Sequence, residues 1–231
     1  MILKKLFTFF IAATATILSA EDFSTSFADG KWDRSQWLNV KSPRWNFIGE
    51  MIQHSDHITN KAPNVPDQVL LRKYEPQIYA SLMLNKKFSG DATISSRMSF
   101  DHLMAPLIVI ASEIGKSADG KYFEHRDHYE IVLFHKGINI WHHLYKNGKP
   151  SWYRSAYLKI PFQPKTVYDL QIQLRWRQGR CQMTVSCNGT EFGYMELNMP
   201  QTYYVGITGC EGRNRFYDFK VSQPKKSKRK K

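Results

Sequence analysis

Long apolar runs are nearly absent from this 231-residue sequence. The one such run, Leu6–Leu18, is about 13 residues long, whereas a membrane-spanning helix needs roughly 20. Lys4 and Lys5 precede the run and small residues follow it, which is the order found in secretory signal peptides. We therefore expect residues 1–20 to be a cleaved signal peptide, with retention as a membrane anchor as the alternative. The mature protein is expected to be secreted or to lie in the periplasm or cell envelope.

Cysteine is scarce, with three residues in the whole chain: Cys181, Cys187 and Cys210. There is no CxxC pair, which argues against a cysteine-based zinc site. An exported protein permits disulfides. However, Cys181 and Cys187 are six residues apart on one predicted strand, about 20 Å in extended chain, and this is too far for them to pair with each other. Pairing of Cys210 with either of them remains open.

Several sequence motifs that mark common enzyme classes are missing. The chain has no GxSxG, no phosphate-binding Walker loop, no HExxH and no dense carboxylate group of the ExDxE kind. The last absence argues against the common retaining-glycosidase arrangement, which needs two closely spaced carboxyl groups. The chain also lacks a helical DNA-reading motif and an RNA-binding aromatic signature, so no specific nucleic-acid partner is expected.

Positive charge is concentrated at the two ends of the chain. Lys4 and Lys5 belong to the predicted signal peptide, and six more lysines and arginines fall within residues 224–231. Without these eight residues the formal net charge of +13 falls to +5. We expect residues 224–231 to be a disordered basic tail that contacts an anionic surface, or that is simply solvated.

Strand patterns recur at short spacing and helix-period patterns are scarce, which favours an all-β sandwich or barrel. The residues 167–177 alternate strictly between apolar and polar side chains, and Asn188-Gly189 suits a type I′ hairpin turn. We predict one β-domain over residues 21–223. Its predicted strands are Ile78–Leu84, Asp91–Phe100, Leu107–Ala111, Tyr129–Phe134, Ile138–Tyr145, Val167–Arg177, Gln182–Cys187, Thr190–Leu197, Tyr203–Thr208 and Phe216–Val221.

One predicted hairpin, residues 125–145, gathers chemically active side chains on a single face. With Lys136-Gly137 as a two-residue turn, Glu130 lies opposite His143 on that face, about 5 Å apart at Cβ. Aromatic rings stack on sugars, and a carboxylate beside an imidazole makes a general base or acid near neutral pH. The predicted catalytic residues are Glu130 and His143, and the predicted ligand-binding residues are His128, Trp141, Tyr145 and Arg97.

Other interpretations of this face are open. It is either a ligand-binding surface or an ordinary solvent-exposed sheet face, and two histidines with one carboxylate are also a possible metal-binding set. We predict no metal ligands here. Trp152, Tyr153 and Arg154 fall between prolines, in a predicted loop that either lines a cleft or packs against the domain.

The closing segment Tyr203–Val221, YYVGITGCEGRNRFYDFKV, resembles the last strands of concanavalin-A-like jelly-roll domains. The segments His128–Leu133 (HYEIVL), Gly179–Gly189 and Phe23–Trp37 are also similar to this group, which includes laminin-G-like modules and the 3-keto-disaccharide hydrolase-like family. The resemblance implies a two-sheet antiparallel jelly-roll sandwich with a concave, often carbohydrate-facing sheet. Such domains also hold calcium in some cases, so a structural calcium ion is a further expectation.

Together these features predict a secreted carbohydrate-active protein. We expect it to bind a poly- or oligosaccharide on the concave sheet and, if it is an enzyme, to be a glycoside hydrolase or a polysaccharide lyase. A non-catalytic glycan-binding or cell-surface interaction module is the alternative. A third interpretation is a structural domain whose basic tail makes the functional contact.

Overall fold

The computed structural model describes residues 23–224, apart from residues 64, 67–68, 70–72, 75–77 and 103–104. The predicted signal peptide and nearly all of the predicted basic tail lie outside the described residues. In chain order the strands are β1 Phe23–Ser26, β2 Trp37–Lys41, β3 Met51–Gln53, β4 Ile58–Asn60, β5 Ala80–Leu84, β6 Phe88–Ser89, β7 Ala92–Phe100, β8 Pro106–Ala111, β9 Ile114–Lys116, β10 Phe123–His125, β11 His128–Phe134, β12 Gly137–Lys146, β13 Lys149–Lys159, β14 Tyr168–Arg177, β15 Arg180–Cys187, β16 Thr190–Glu196, β17 Thr202–Gly209, β18 Asn214–Phe216 and β19 Asp218–Ser222. A single turn of 3₁₀ helix, Arg34–Gln36, precedes β2. Within the described ranges, no helix has the length and apolar character needed to cross a bilayer.

These strands form two sheets. A nine-stranded sheet has the order β16-β15-β14-β7-β18-β4-β3, with β19 on β7 and β1 on β19. A ten-stranded sheet has the order β13-β12-β11-β8-β17-β5-β2-β10-β9, with β6 on β17. Most neighbouring strands are antiparallel, and β10 runs parallel to β2. The two-sheet architecture confirms the predicted all-β fold.

The main core lies between the two sheets and is built from alternating side chains. In β14, Tyr168, Leu170, Ile172 and Leu174 are buried, while the side chains between them point toward solvent, as their alternation predicts. Alternate side chains of the ten-stranded sheet also point into this core, among them Ile131 and Leu133 of β11. Because β-strand side chains alternate, the next residues along each strand project to the opposite face of the ten-stranded sheet.

The ten-stranded sheet is rolled. Five strand spacings separate β11 from β10 in the sheet order, which is about 24 Å in a flat sheet. However, only two residues join β10 to β11 in the chain, and the step from His125 to His128 spans at most about 11 Å. The sheet therefore has to curve until its far edge returns to β11. The rings of His125 and His128 stack 4.6 Å apart at this point.

The hairpin of β11 and β12 differs in register from its prediction. The two-residue turn is His135–Lys136, so Phe134 pairs with Gly137, His128 with His143 and Glu130 with Trp141. The shift moves each pairing by two residues, so the predicted division into an apolar and a polar face survives. The structure requires glycine here, because Gly137 has a φ of +149° and a Cβ atom would lie 2.0 Å from the Leu158 carbonyl oxygen.

The predicted loop that holds Trp152 is a strand. Trp152, Tyr153 and Arg154 lie in β13, an edge strand paired along its length with β12, although prolines bound this segment. One proline falls at position 150, where an edge strand tolerates the missing N–H. Residues 114–116, between two predicted strands, form β9, which pairs with β10. The predicted Asn188-Gly189 hairpin turn is confirmed, with φ of +46° and +83°.

The cysteines form neither of the two disulfides left open by the sequence. Cys181 and Cys187 are free thiols buried in the main core. Cys210 lies elsewhere, after β17, where its Sγ is 3.7 Å from the Ala105 carbonyl oxygen. Apolar packing, and not a disulfide, therefore surrounds the two core cysteines.

Candidate ligand-binding cleft

A cavity of about 260 Å³ lies on the face of the ten-stranded sheet that points away from the main core. Glu130 and Val132 of β11, and Trp141 and His143 of β12, form its floor. Such a volume is slightly below the roughly 300–1,000 Å³ of typical small-molecule sites. We call this cavity the cleft. It combines apolar rings with a small number of polar groups.

Glu130 is the central polar residue of the cleft. One carboxylate oxygen lies 3.1 Å from His143 Nε2. The other accepts a hydrogen bond from the Tyr79 hydroxyl at 3.1 Å and lies 3.5 Å from His128 Nε2. Glu130 and His128 are buried, whereas His143 is partly accessible from the cleft. The predicted Glu130–His143 contact is therefore present, although the two residues are diagonal neighbours and not directly opposed.

Electrostatics keeps the Glu130 carboxyl ionised. Burial acts to raise its pKa, but the imidazoles of His143 and His128 outweigh burial and hold the pKa well below its ordinary value. Burial, followed by the charge of Glu130, raises the pKa of the Tyr79 phenol well above its ordinary value. Tyr79 thus stays a hydrogen-bond donor. Glu130 is accordingly an anion that holds its neighbours and not a proton donor at neutral pH.

Three imidazoles and an indole form a stacked column that begins beneath the cleft and reaches it at His143 and Trp152. His125 stacks on His128 and His128 on His143, each at 4.6 Å between ring centroids. The Trp152 ring follows at 6.1 Å from His143. Burial, followed by the neighbouring His128, lowers the pKa of His125 well below its ordinary value. His125 is fixed by a 3.0 Å contact between its Nε2 and the Ser81 hydroxyl.

A β-bulge turns Trp152 toward the cleft. Ile140 pairs with Ala156, but Trp141 pairs with Arg154, so Ser155 is an extra residue in β13. An extra residue exchanges the two faces of a strand beyond it. Without the bulge, Trp152 would point toward the main core. With the bulge it lies on the face of His143, and 48% of its surface is exposed.

The loop after β2 supplies a rim that sequence reasoning missed. The Arg44 guanidinium lies 4.1 Å from the Trp45 ring centroid and 5.1 Å from that of Trp152. Trp45 in turn packs on Tyr79 at 5.4 Å. The sequence did not single out Arg44, Trp45 or Tyr79, because nothing local signals that these residues meet β11 and β13. Only the roll of the sheet brings them together.

Two of the predicted ligand-binding residues lie outside the cleft. Arg97 is on the nine-stranded sheet, where its Nε donates to Asp218 Oδ2 at 2.7 Å. Tyr145 is near the end of β12, does not line the cavity, and stacks under the Arg126 guanidinium at 4.4 Å. His128 lies beneath the cleft, behind Glu130. The structure thus brings together Glu130, His143, His128 and Trp141, and leaves Arg97 on the other sheet.

The donor set at Glu130 does not fit calcium. His128, Glu130 and His143 are the one group of three potential metal-binding side chains among the described residues, with ligand atoms within 4.8 Å of one another. Calcium takes six to eight oxygen ligands, and two of these three donors are nitrogens. A structural calcium ion elsewhere in the chain stays a prediction.

Solved structures of carbohydrate-binding proteins share this fold. The carbohydrate-binding module CBM66 from Bacillus subtilis has a TM-score of 0.52 at 11% identity, covering 81% of this chain and 96% of that one. Peanut lectin has a TM-score of 0.55 at 8% identity, covering 89% and 98%. The kappa-carrageenase from Pseudoalteromonas carrageenovora, in complex with an oligotetrasaccharide of kappa-carrageenan, has a TM-score of 0.50 at 12% identity, covering 92% and 98%.

At these identities the likeness establishes the fold alone. The chain has the two-sheet jelly-roll sandwich fold seen in peanut lectin and the kappa-carrageenase, as the resemblance of its closing strands predicted. No protein-family model matches the sequence, and no curated protein matches it.

Proposed function

We propose that this protein binds a carbohydrate in the cleft of its rolled sheet. The observation that carries the proposal is the pair of indoles, Trp141 and Trp152, beside the polar side chains of Glu130 and His143 in one cavity. Sugars present apolar C–H faces that stack on indole rings and hydroxyl groups that need hydrogen-bond partners. Structural neighbours named as lectins and a carbohydrate-binding module support the proposal.

The two indoles have different roles in this proposal. Trp152 is the main stacking platform, because nearly half of its surface is exposed, and Trp141 forms part of the cleft floor. The Arg44 guanidinium beside Trp152 places positive charge at the rim. The Glu130 carboxylate lies in the same cavity, so the cleft presents both positive and negative charge to a sugar.

The test is a glycan-array screen followed by calorimetric titration of the best ligand. Trp152→Ala should weaken binding about tenfold, which corresponds to the loss of one ring-stacking contact. Arg97→Ala is the matched control, since Arg97 lies on the other sheet, and it should bind with unchanged affinity. Loss of binding in the Arg97 variant, with normal binding by the Trp152 variant, would place the ligand outside the cleft.

A second candidate function is catalysis, as a glycoside hydrolase or a polysaccharide lyase. The observation that favours it is the 3.1 Å contact between His143 Nε2 and the ionised Glu130, which orients the imidazole for proton transfer. Glu130 positions His143, and His143 acts as base or acid. In a turnover assay on the best-binding glycan, His143→Ala should abolish activity, and in the calorimetric titration it should largely spare binding. If no turnover is found and Trp141→Ala weakens binding more than His143→Ala, the protein is a binding module.

We also propose that the protein acts outside the cytoplasm. The support is the order of charges, apolar run and small residues in the first 20 positions of the sequence. Contact of the basic tail with an anionic surface is a further proposal, supported by its six closely spaced positive charges.

A further inference from the structure

The side chains of His128, Glu130 and His143 form a compact set with one feature that carbohydrate binding does not explain. Both histidines direct Nε2 at the same carboxylate, at 3.5 Å and 3.1 Å, each toward a different oxygen. The donor atoms lie within 4.8 Å of one another. Ligands bonded to zinc at about 2.0–2.1 Å lie roughly 3.3 Å apart, so shifts of about 1 Å would bring these atoms into a coordination shell.

The hydrogen bonding of His128 gives an independent indication. Its Nδ1 lies 2.6 Å from the Arg126 carbonyl oxygen, and because a carbonyl only accepts, this nitrogen carries a proton. Its Nε2 is buried and has no hydrogen-bond partner within the described part of the chain. This buried nitrogen lies 3.5 Å from Glu130 Oε1, which is long for a hydrogen bond, and His143 Nε2 lies 3.1 Å from the other oxygen of the same carboxylate. A buried ring nitrogen without a hydrogen-bond partner, aimed at a carboxylate that a second imidazole also contacts, is an arrangement that a metal ion would complete.

From this geometry we infer that His128 Nε2, His143 Nε2 and the Glu130 carboxylate bind a divalent transition metal, with zinc as the best match. Two imidazoles and one carboxylate suit zinc and its neighbours in the first row. A metal-binding histidine usually donates its other ring N–H to a backbone carbonyl, as His128 does to Arg126.

The surroundings of the set match a metal site with an open position. Tyr79 donates to Glu130 Oε1 and is a positioning residue for the carboxylate. Glu130 and His143 both line the cleft, so a metal held between them has one side open to it. Three protein ligands with an open position are typical of zinc sites that bind a water or a ligand atom. The inferred metal therefore sits where a ligand in the cleft would meet it.

The experiment uses the chain without its predicted signal peptide and without a histidine tag, stripped with a chelator and dialysed. Zinc chloride alone is titrated by calorimetry, and cobalt(II) is added in parallel because its visible absorption reports the ligand set. We expect one zinc per chain and a cobalt spectrum with nitrogen and oxygen ligands. Calcium chloride should give no heat of binding at this site.

Variants assign the binding to the proposed residues. His143→Ala should lower zinc affinity by at least about 100-fold and change the cobalt spectrum. His57→Ala is the matched control, because His57 also stacks on a histidine, His54, and contacts a carboxylate, but in the turn between β3 and β4 of the other sheet. It should bind zinc as the unaltered protein does. Circular dichroism checks that each variant is folded.

Two results would overturn the inference. The first is a folded, stripped protein that binds no zinc, which would mean that a proton lies between His128 and Glu130 and the set is an ion pair only. The second is unchanged zinc affinity in the folded His143→Ala variant. Metal binding is measured without sugar, so its failure leaves the carbohydrate proposal standing, and failure of the glycan screen leaves the metal site standing.

Discussion

Burial gives the cysteines of this chain different reactivities. Desolvation by burial raises the pKa of the Cys181 and Cys187 thiols to about 12. The thiolate is the reactive form, and at pH 8 a pKa near 12 lowers its population about 1,000-fold relative to an ordinary cysteine. Cys210 lines the cleft and is partly accessible.

We expect a thiol reagent at pH 8 to label Cys210 in the folded protein, and to label Cys181 and Cys187 at least about 1,000-fold more slowly. Mass spectrometry after timed alkylation measures each site. The denatured chain is the control and should label all three cysteines at similar rates. Rapid labelling of Cys181 in the folded protein would show that the core around β15 opens readily.

Individual site residues were predictable where they share a hairpin. Glu130, Trp141 and His143 belong to two adjacent strands, so strand alternation alone places them on one face. Arg44 and Tyr79 come from distant segments, and no local pattern indicates that they face this hairpin. Arg97 has the right alternation for a polar sheet face, but alternation does not reveal which of the two sheets a strand joins.

At the scale of single elements, β12 and β13 form the part of the fold on which the cleft depends most. Gly137 is the first residue of β12 and has a φ of +149°, and Gly148 lies in the turn after β12 and has a φ of +74°. A Cβ atom at Gly137 would meet a backbone oxygen at 2.0 Å, whereas a Cβ atom at Gly148 would have no atom within 4 Å. Gly148 therefore serves as a control for a substitution at Gly137, because both have positive φ and only Gly137 lacks room for a Cβ atom.

Gly137→Ala should destabilise the protein by about 3 kcal/mol, because it combines a strained φ with a backbone clash. Gly148→Ala should lower the free energy of unfolding by only about 1 kcal/mol, since it adds the strained φ alone. Urea denaturation measures both. Equal losses for the two variants would mean that β12 shifts to relieve the clash.

Element prediction succeeded for long, regularly alternating strands and failed for short or irregular ones. β14 and the β15–β16 hairpin were predicted nearly to their ends. Strands of three to five residues such as β2, β3 and β4 carry too few positions for a period of two to stand out. No residue pattern in the sequence predicts the bulge at Ser155, although this bulge places Trp152 in the cleft.

At the scale of the whole molecule, the pairing of β10 with β2 holds the ten-stranded sheet in its rolled form. Lys41 of β2 and Glu124 of β10 form a buried ion pair, 2.7 Å between Nζ and Oε2. Lys41 also donates to the Trp45 carbonyl at 3.1 Å, directly behind the rim of the cleft. Arg126 makes a second ion pair with Glu124. Removing the lysine leaves a buried carboxylate that is only partly compensated.

Lys41→Met should lower the free energy of unfolding by about 3 kcal/mol, since breaking one partner of a buried ion pair leaves the other charge unpaired. Lys61→Met is the control, because the Lys61–Glu50 pair is largely exposed and should contribute at most about 1 kcal/mol. Thermal and urea unfolding measure both variants. Similar small losses would show that Arg126 neutralises Glu124 without help.

The pairing of β10 with β2 joins strands that are far apart in the chain. Phe123 pairs with Val40, 83 positions earlier in the chain, so a long loop must close before the roll exists. Contacts of such separation tend to slow folding. A partly folded chain with β5, β8, β11, β12 and β17 in place has a sheet but lacks the Arg44 side of the cleft, which follows β2. Whatever fills the cleft then favours the closed chain by mass action, so ligand binding and completion of the fold are thermodynamically linked.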